Sequence, residues 1–252
     1  MIDLNTLNKP RVITCGDLHG QLQLIYQFIK RFGIHNTIIL SVGDFGYAFT
    51  DKQLAELNNY LVKTKNYLCV TRGNHCNPKN HYPFQYSYEQ GREYKELFCN
   101  LQFVEDYKEL TINNLNYLFI GGATSIDRKR REKDISYWEN EKIIYDLDFD
   151  CLLNDHKVTL DRWKDKIDVV ITHTAPSNFS PHILNPSCHH YIKKDPSLTE
   201  ELEYERRYLQ NIFDYIDVKY WVHGHFHIAN RYKLKDTNVI SLGAEEFYEL
   251  NI

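Results

Sequence analysis

The sequence lacks most of what would place it outside the globular class. Prolines number 7 and glycines 11 in 252 residues, and no Gly/Ser/Pro-rich stretch divides the chain. One large α/β domain over 1–252 is therefore expected, since a single core can run to about 250 residues. No apolar run approaches the roughly 18 residues that a membrane span needs, and stretches such as Val169-Val170-Ile171 fall far short. The opening segment MIDLNTLNKPRVIT has no basic region followed by an apolar one, so no secretory leader is expected. The cysteines (Cys15, Cys69, Cys76, Cys99, Cys151, Cys188) are scattered with no C-x-x-C pair, which fits reduced thiols in a cytoplasmic protein. An excess of positive charge is also missing. Against 34 Asp+Glu stand 30 Lys+Arg, and the net charge of −4 gives no whole-protein attraction to nucleic acid or an anionic bilayer. What remains, 42% hydrophobic and 25% charged residues, is the composition of a folded domain.

Along the chain a short apolar run repeatedly ends in a glycine-containing polar loop and gives way to helical periodicity. Val12–Cys15 leads into GDLHG, after which Leu22, Ile25, Phe28, Ile29 and Phe32 recur at helical spacing. Ile38–Val42 leads into GDFG, then Leu54, Leu57 and Leu61 mark a second helix, and Tyr67–Val70 leads into TRGNH. This order implies βαβ units and a largely parallel sheet. Lys108–Ile112 and Tyr117–Ile120, joined across Asn113-Asn114, read as an antiparallel hairpin. Val169–Thr172, Trp221–Val222, Arg231–Leu234 and Val239–Leu242 are further strands. The proline-rich segment 176–196, with His182, His189 and His190, reads as a long loop or lid. Ser197 and Glu200 form a capping-box pattern ahead of a helix carrying Leu202, Leu209, Ile212, Phe213 and Ile216.

Residue types that bind metals sit in five loops, each after an expected strand. They are Asp17 and His19 in GDLHG, Asp44 in GDFG, Asn74 and His75 in RGNH, His173 in THTAP, and His223, His225 and His227 in HGHFH. In an open α/β sheet the carboxyl ends of strands converge on one crevice, so positions 17 to 227 can meet in space. Each motif alone fits a turn or a satisfied core residue; together, in this order, they point to a metal centre. Mixed imidazole and carboxylate suit Mn²⁺, Fe or Zn²⁺ better than Mg²⁺ or Ca²⁺.

GDLHG, GDFG, GNH, TH and GHFH, in that order, resemble the five signature blocks of the calcineurin-like metallophosphoesterases. The wider GDFGYAF, RGNHC, GGATSIDRKRR and THTAPS also resemble bacterial and phage members. The resemblance implies an αββα sandwich, two mixed sheets packed face to face between helices, with two divalent ions at their edge. Mn²⁺ is the first expectation, with Fe, Zn²⁺ or Ni²⁺ as alternatives. Asp17, His19 and His227 would hold one ion, Asn74, His173 and His225 the other, and Asp44 would bridge them. A shared water, activated to hydroxide, would attack phosphorus in line. By the same resemblance His75 would protonate the leaving oxygen, and Arg72 would clamp the phosphate.

The second block departs from one branch of that family. The Ser/Thr phosphoprotein phosphatases carry GDxxDRG, whereas here Tyr47 and Ala48 stand where the later aspartate and arginine would be. His75 therefore has no evident orienting partner. Arg128 and Arg131, in the run after Tyr117–Ile120, are placed to contact a phosphate, though a solvated charge run fits equally. Tyr47 and Phe49 fit either stacking on a base or core packing, and His223 fits either a contact near the site or a core histidine. The function implied is a phosphatase on small phosphorylated molecules or phosphoproteins. The alternatives are a phosphodiesterase or nuclease on nucleotides or short nucleic acid, and a non-catalytic scaffold. Extended nucleic acid and membranes are not expected partners.

Overall fold

A computed structural model of the chain describes residues 8–76, 99–145, 160–181 and 186–252. The expected alternation forms the first third. β1 (Arg11–Cys15), β2 (Thr37–Ser41) and β3 (Asn66–Val70) are joined by α1 (Gln23–Phe32) and α2 (Asp51–Thr64). The strands pair in parallel, as helical crossovers require. α1 stops at Gly33, whose left-handed φ of 59° lets its N–H return to the Ile29 carbonyl. α2 opens on a capping box in which Thr50 Oγ1 accepts from the Gln53 N–H and Gln53 Oε1 from the Thr50 N–H. β4 (Leu101–Phe103) extends this sheet in parallel, and β11 (Phe247–Glu249) pairs antiparallel with β1 at the far edge.

The second sheet runs in the order β5 (Lys108–Ile112), β6 (Leu115–Ile120), β7 (Val169–Thr172), β8 (Tyr220–His223), β10 (Thr237–Ser241), β9 (Asn230–Leu234). Its β6–β7–β8–β10 centre is parallel and its two edges antiparallel. The β5–β6 hairpin turns on Asn113 and Asn114 with φ of 52° and 64°, as a two-residue loop demands.

Strand alternation assigns the faces. Ile39 of β2 and Leu68 of β3 pack with Ile25 and Leu57 of the helices, whereas Ile38 and Leu40 face the second sheet. There they meet Phe119 of β6, Ile171 of β7 and Val222 of β8. The opposite faces of those strands, through Leu118, Val170 and Trp221, pack on Leu209, Ile212 and Phe213 of α4 (Ser197–Tyr215). Helix, sheet, sheet, helix is thus the layer order, and the expected αββα sandwich is the fold. No helix among the described residues is long and apolar enough to cross a membrane.

Two local expectations need correction, and two short strands were not expected. Within 176–196 the described residues include a helix, α3 (Pro186–Lys194), so the segment is not a loop throughout, and His189 and His190 lie exposed on that helix. His182 lies outside the described residues. The Ser197–Glu200 capping box does not form. Ser197 is already helical, and its hydroxyl donates to Asp195 Oδ1 at 2.9 Å and accepts from Arg128. β4 and β11 carry no sequence signal, because three residues are too few to show a period.

Candidate metal centre

The carboxyl ends of β1, β2, β3, β7 and β8 open on one edge of the sandwich, and the loops leaving them are knit together by backbone hydrogen bonds. The N–H groups of Leu18 and His19 donate to the Asp44 carbonyl at 3.1 and 2.8 Å, and the Gly224 N–H donates to the His173 carbonyl at 3.0 Å. Asp17 is held by the His225 N–H, 3.2 and 3.1 Å from its two oxygens, and Asp44 by the His75 N–H at 2.6 Å. Two glycines make this closeness attainable. A Cβ on Gly43, whose φ is 117°, would fall 2.3 Å from His173 Nδ1, and one on Gly224 would fall 2.3 Å from Asp17 Oδ1.

His19, Asp44, His225 and His227 all sit at left-handed φ, 47°, 46°, 68° and 57°. Such conformations cost on the order of 1–3 kcal/mol each and persist where the surroundings over-determine them. Here they aim side chains inward. His227 Nε2 lies 3.0 Å from His19 Nε2 and 3.1 Å from Asp17 Oδ2. In the deeper half, His173 Nδ1 donates to the Val42 carbonyl at 3.0 Å, which leaves Nε2 facing Asn74 Oδ1 at 2.8 Å and Asp44 Oδ1 at 3.3 Å. His225 Nδ1 reaches the same Asn74 oxygen at 3.1 Å. Asp44 Oδ2 lies 4.0 Å from both His19 Nδ1 and His75 Nε2, so this carboxylate stands between the two halves.

The electrostatics show what such a cage wants. Burial works to lower His173, but the Asp44 carboxylate overrides it and holds the imidazole up at about 9. Burial likewise works to raise Asp44, and the His173 charge drives it down instead. His225 is pushed well below its ordinary value by burial and by His173. A proton shared between His173 and Asp44 thus partly neutralises a set of lone pairs that face one another. Among the described residues three groupings bring ligand atoms within 4.8 Å of one another, namely Asp17/His19/His227, His19/Asp44/His75 and Asp17/Asp44/His173. The donors fit divalent transition metals, and all seven expected ligands gather here.

A family model for calcineurin-like phosphoesterases matches residues 10–229. The chain belongs to that family. This phosphoesterase is accordingly a metal-dependent hydrolase of phosphate esters. Among curated proteins nothing matches it. Its fold is similar to solved structures of low identity. A phosphopantetheinyl hydrolase from Mycobacterium tuberculosis is 12% identical, with 96% of each chain covered and a TM-score of 0.47. An archaeal phosphodiesterase is 12% identical (95% of this chain, 98% of the other, TM-score 0.39). A serine/threonine phosphatase from Saccharomyces cerevisiae is 16% identical (95% and 68%, TM-score 0.36).

The phosphoesterase's arginines depart from expectation. Arg72 is 1% exposed, and its guanidinium is bonded to groups outside the candidate ligand set. Its Nε donates to Asp106 Oδ2 at 3.0 Å, Nη1 to the Asn140 and Glu141 carbonyls, and Nη2 to those of Gly121 and Lys142. All its N–H donors are engaged, so the phosphate-clamp expectation for Arg72 is corrected: it ties β3 to the 140–142 turn. Arg128 is likewise withdrawn, paired with Asp195 at 2.9 Å and Glu201 at 2.6 Å beside α4. Arg131 does reach the site. Its Nη2 donates to His75 Nε2 and pairs with Asp127 at 2.8 Å, so His75 has an arginine neighbour from a distant loop. Burial, with Arg131 adding to it, pushes His75 down to about 4. The Tyr47 ring packs edge-on against Trp138 at 5.5 Å, and Phe49 packs on Phe45 at 5.2 Å. His223 is a fully buried histidine near Phe179 and Phe226, pushed down to about 3 by burial. Sequence reading missed Ser125, Glu141 and Asp127. The GGATSID run held the only signal, a glycine-led loop after a strand.

Proposed function

We propose that this phosphoesterase is a two-metal phosphatase acting on small phosphorylated molecules or phosphoproteins, with Mn²⁺ as the favoured ion. Asp17, His19 and His227 would hold one ion and Asn74, His173 and His225 the other, with Asp44 shared. The observation that carries this reading is Asp44, placed between two groups of inward-facing lone pairs. Divalent ions there would lower the pKa of water to give a nucleophile and would neutralise phosphoryl charge. The chain's own ligands include only two carboxylates, Asp17 and Asp44. The site with both ions would keep a positive excess suited to a phosphate dianion.

Arg131 is the guanidinium in position to bind that dianion. In the free site it donates to His75 Nε2. A phosphate is a stronger acceptor than a neutral imidazole, so the arriving ester draws the Arg131 N–H to itself and releases Nε2. Nε2 can then take up a proton from solvent, which the substrate's negative charge favours, and His75 would pass that proton to the leaving oxygen.

One observation favours a second reading. With Arg72 and Arg128 tied elsewhere, Arg131 is the one predicted arginine that reaches the cage, which suits a singly charged diester as well. Hydrolysis of p-nitrophenyl phosphate and of its bis ester with Mn²⁺ separates the two. Turnover of the monoester supports the phosphatase, and turnover confined to the bis ester replaces it with a phosphodiesterase.

A further inference from the structure

Asn74 can offer a metal only one end of its amide. The other end, Nδ2, donates to Ser125 Oγ at 2.9 Å, and both residues are buried. Ser125 belongs to the loop leaving β6, and its backbone N–H donates to Glu141 Oε1 at 2.9 Å. The Ser125 hydroxyl lies beside the same buried carboxylate, whose Oε2 has no hydrogen-bond partner among the described residues. Glu141 is itself fixed, since its carbonyl accepts from the Ala123 N–H at 3.1 Å.

The polarity of this chain matters because an amide is nearly symmetric in shape. Facing His173 Nε2 and His225 Nδ1, a flipped Asn74 would turn its N–H donors toward the metal centre and remove the metal-ligating oxygen. A serine hydroxyl by itself accepts either orientation, as it can donate or accept. Beside the ionised form of this carboxylate, whose pKa burial raises to about 7, that proton has an acceptor of its own and the hydroxyl lone pairs are left for Asn74. We propose that Ser125, polarised by Glu141, is a positioning residue that locks Asn74 Oδ1 toward the metal centre and thereby tunes one metal position of the two. That position is the deeper one, with Asn74, His173 and His225; the Asp17/His19/His227 position is more open, His227 being 46% exposed. The inference rests on the two-metal reading.

The test is Mn²⁺ binding to the purified full chain above pH 7, where Glu141 is ionised, followed by calorimetry and by the electron spin resonance of free Mn²⁺, with circular dichroism and thermal melts alongside. Ser125→Ala removes the acceptor. Glu141→Gln keeps the shape but supplies a donor, which frees the serine proton to turn toward Asn74. Each should weaken one Mn²⁺ by about 10–100-fold, as outer partners of ligands do, and leave the other unchanged. Ser125→Thr, which keeps the hydroxyl, should bind both ions as the wild type does. Unchanged binding in a folded Glu141→Gln, or equal weakening of both ions, overturns the proposal even if Ser125→Ala does not fold. A wild-type chain that binds fewer than two Mn²⁺ overturns the two-metal reading itself, and this inference with it.

Discussion

Replacing Arg72 by methionine separates a structural arginine from a substrate-binding one. The guanidinium has lost its water, and in exchange it pairs with Asp106 and with four backbone carbonyls. Methionine fills much of the space but satisfies none of those acceptors. Removing one partner of a buried ion pair costs about 3–5 kcal/mol. For a chain of this size each kcal/mol moves Tm by about 2–4 °C, so Arg72→Met should melt roughly 6–20 °C lower. Arg131→Met is the contrast. It leaves that hub intact but deletes a charge-assisted hydrogen bond to phosphate, worth about 1.5–3 kcal/mol, or about a 10–150-fold loss in kcat/KM. Thermal and urea melts of metal-free protein, with kcat and KM measured well below the lowered melt, read both effects. If Arg72→Met melted like wild type while its KM rose tenfold, the reasoning would fail and the guanidinium would be a phosphate ligand after all.

Asp44→Asn should lower Mn²⁺ occupancy at both positions and reduce turnover most among single ligand changes, as read by elemental analysis and steady-state rates. In its metal-free form the same variant should let the His173 pKa fall from about 9, because burial would then act unopposed by the Asp44 charge, and NMR titration would register the drop. His75→Ala should slow esters with poor leaving groups far more than nitrophenyl esters; equal losses on both would refute a proton-donating His75. Glu205, fully buried, accepts from Thr124 N–H and Oγ1 at 2.7 and 2.9 Å, and burial raises its pKa from 4.5 to about 7. The folded chain therefore holds a proton that the unfolded chain has released between those values. This contribution to the stability of the metal-free protein is full below pH 4.5, declines as pH rises toward 7, and amounts to at most about 3 kcal/mol. Glu205→Gln should flatten that part of the urea-midpoint profile, and an unaltered slope would assign it to other groups.

The parts of the fold that were legible in the sequence are those with a period or a turn chemistry of their own. Ile25, Leu57 and Leu209 sit where helical spacing predicts a buried face, and Asn113-Asn114 turns where two left-handed residues are needed. The candidate ligand residues were legible because each stands within a few positions of a strand end, and strand ends in such sheets share one edge. The Arg72 role was not legible. Its neighbours in sequence lie beside the cage, but its partners, Asp106 and the 140–142 carbonyls, are set by tertiary packing with no local signature. Ser197 failed for a related reason. Its hydroxyl is bonded to Asp195 and Arg128, so an ion-pair cluster overrides the capping pattern.

The loop and short turns from Gly121 to Lys142 explain how this member of the family can differ at its second block. Tyr47 and Ala48 supply neither a carboxylate for His75 nor a cation for phosphate, and Tyr47 packs on Trp138 instead. The central segment provides the neighbouring charges. Arg131 reaches His75 and is steadied by Asp127, while Glu141 lies 3.9 Å from Arg131 and also holds Ser125. The segment is anchored in turn by Arg72, whose carbonyl accepts the Gly122 N–H at 2.7 Å and whose guanidinium binds the Glu141 and Lys142 carbonyls. Arg72 thus acts on the site without reaching it. Loosening that anchor should displace Arg131 and Ser125 together, so the Arg72→Met protein, assayed while still folded, should lose metal affinity and turnover in parallel rather than KM alone.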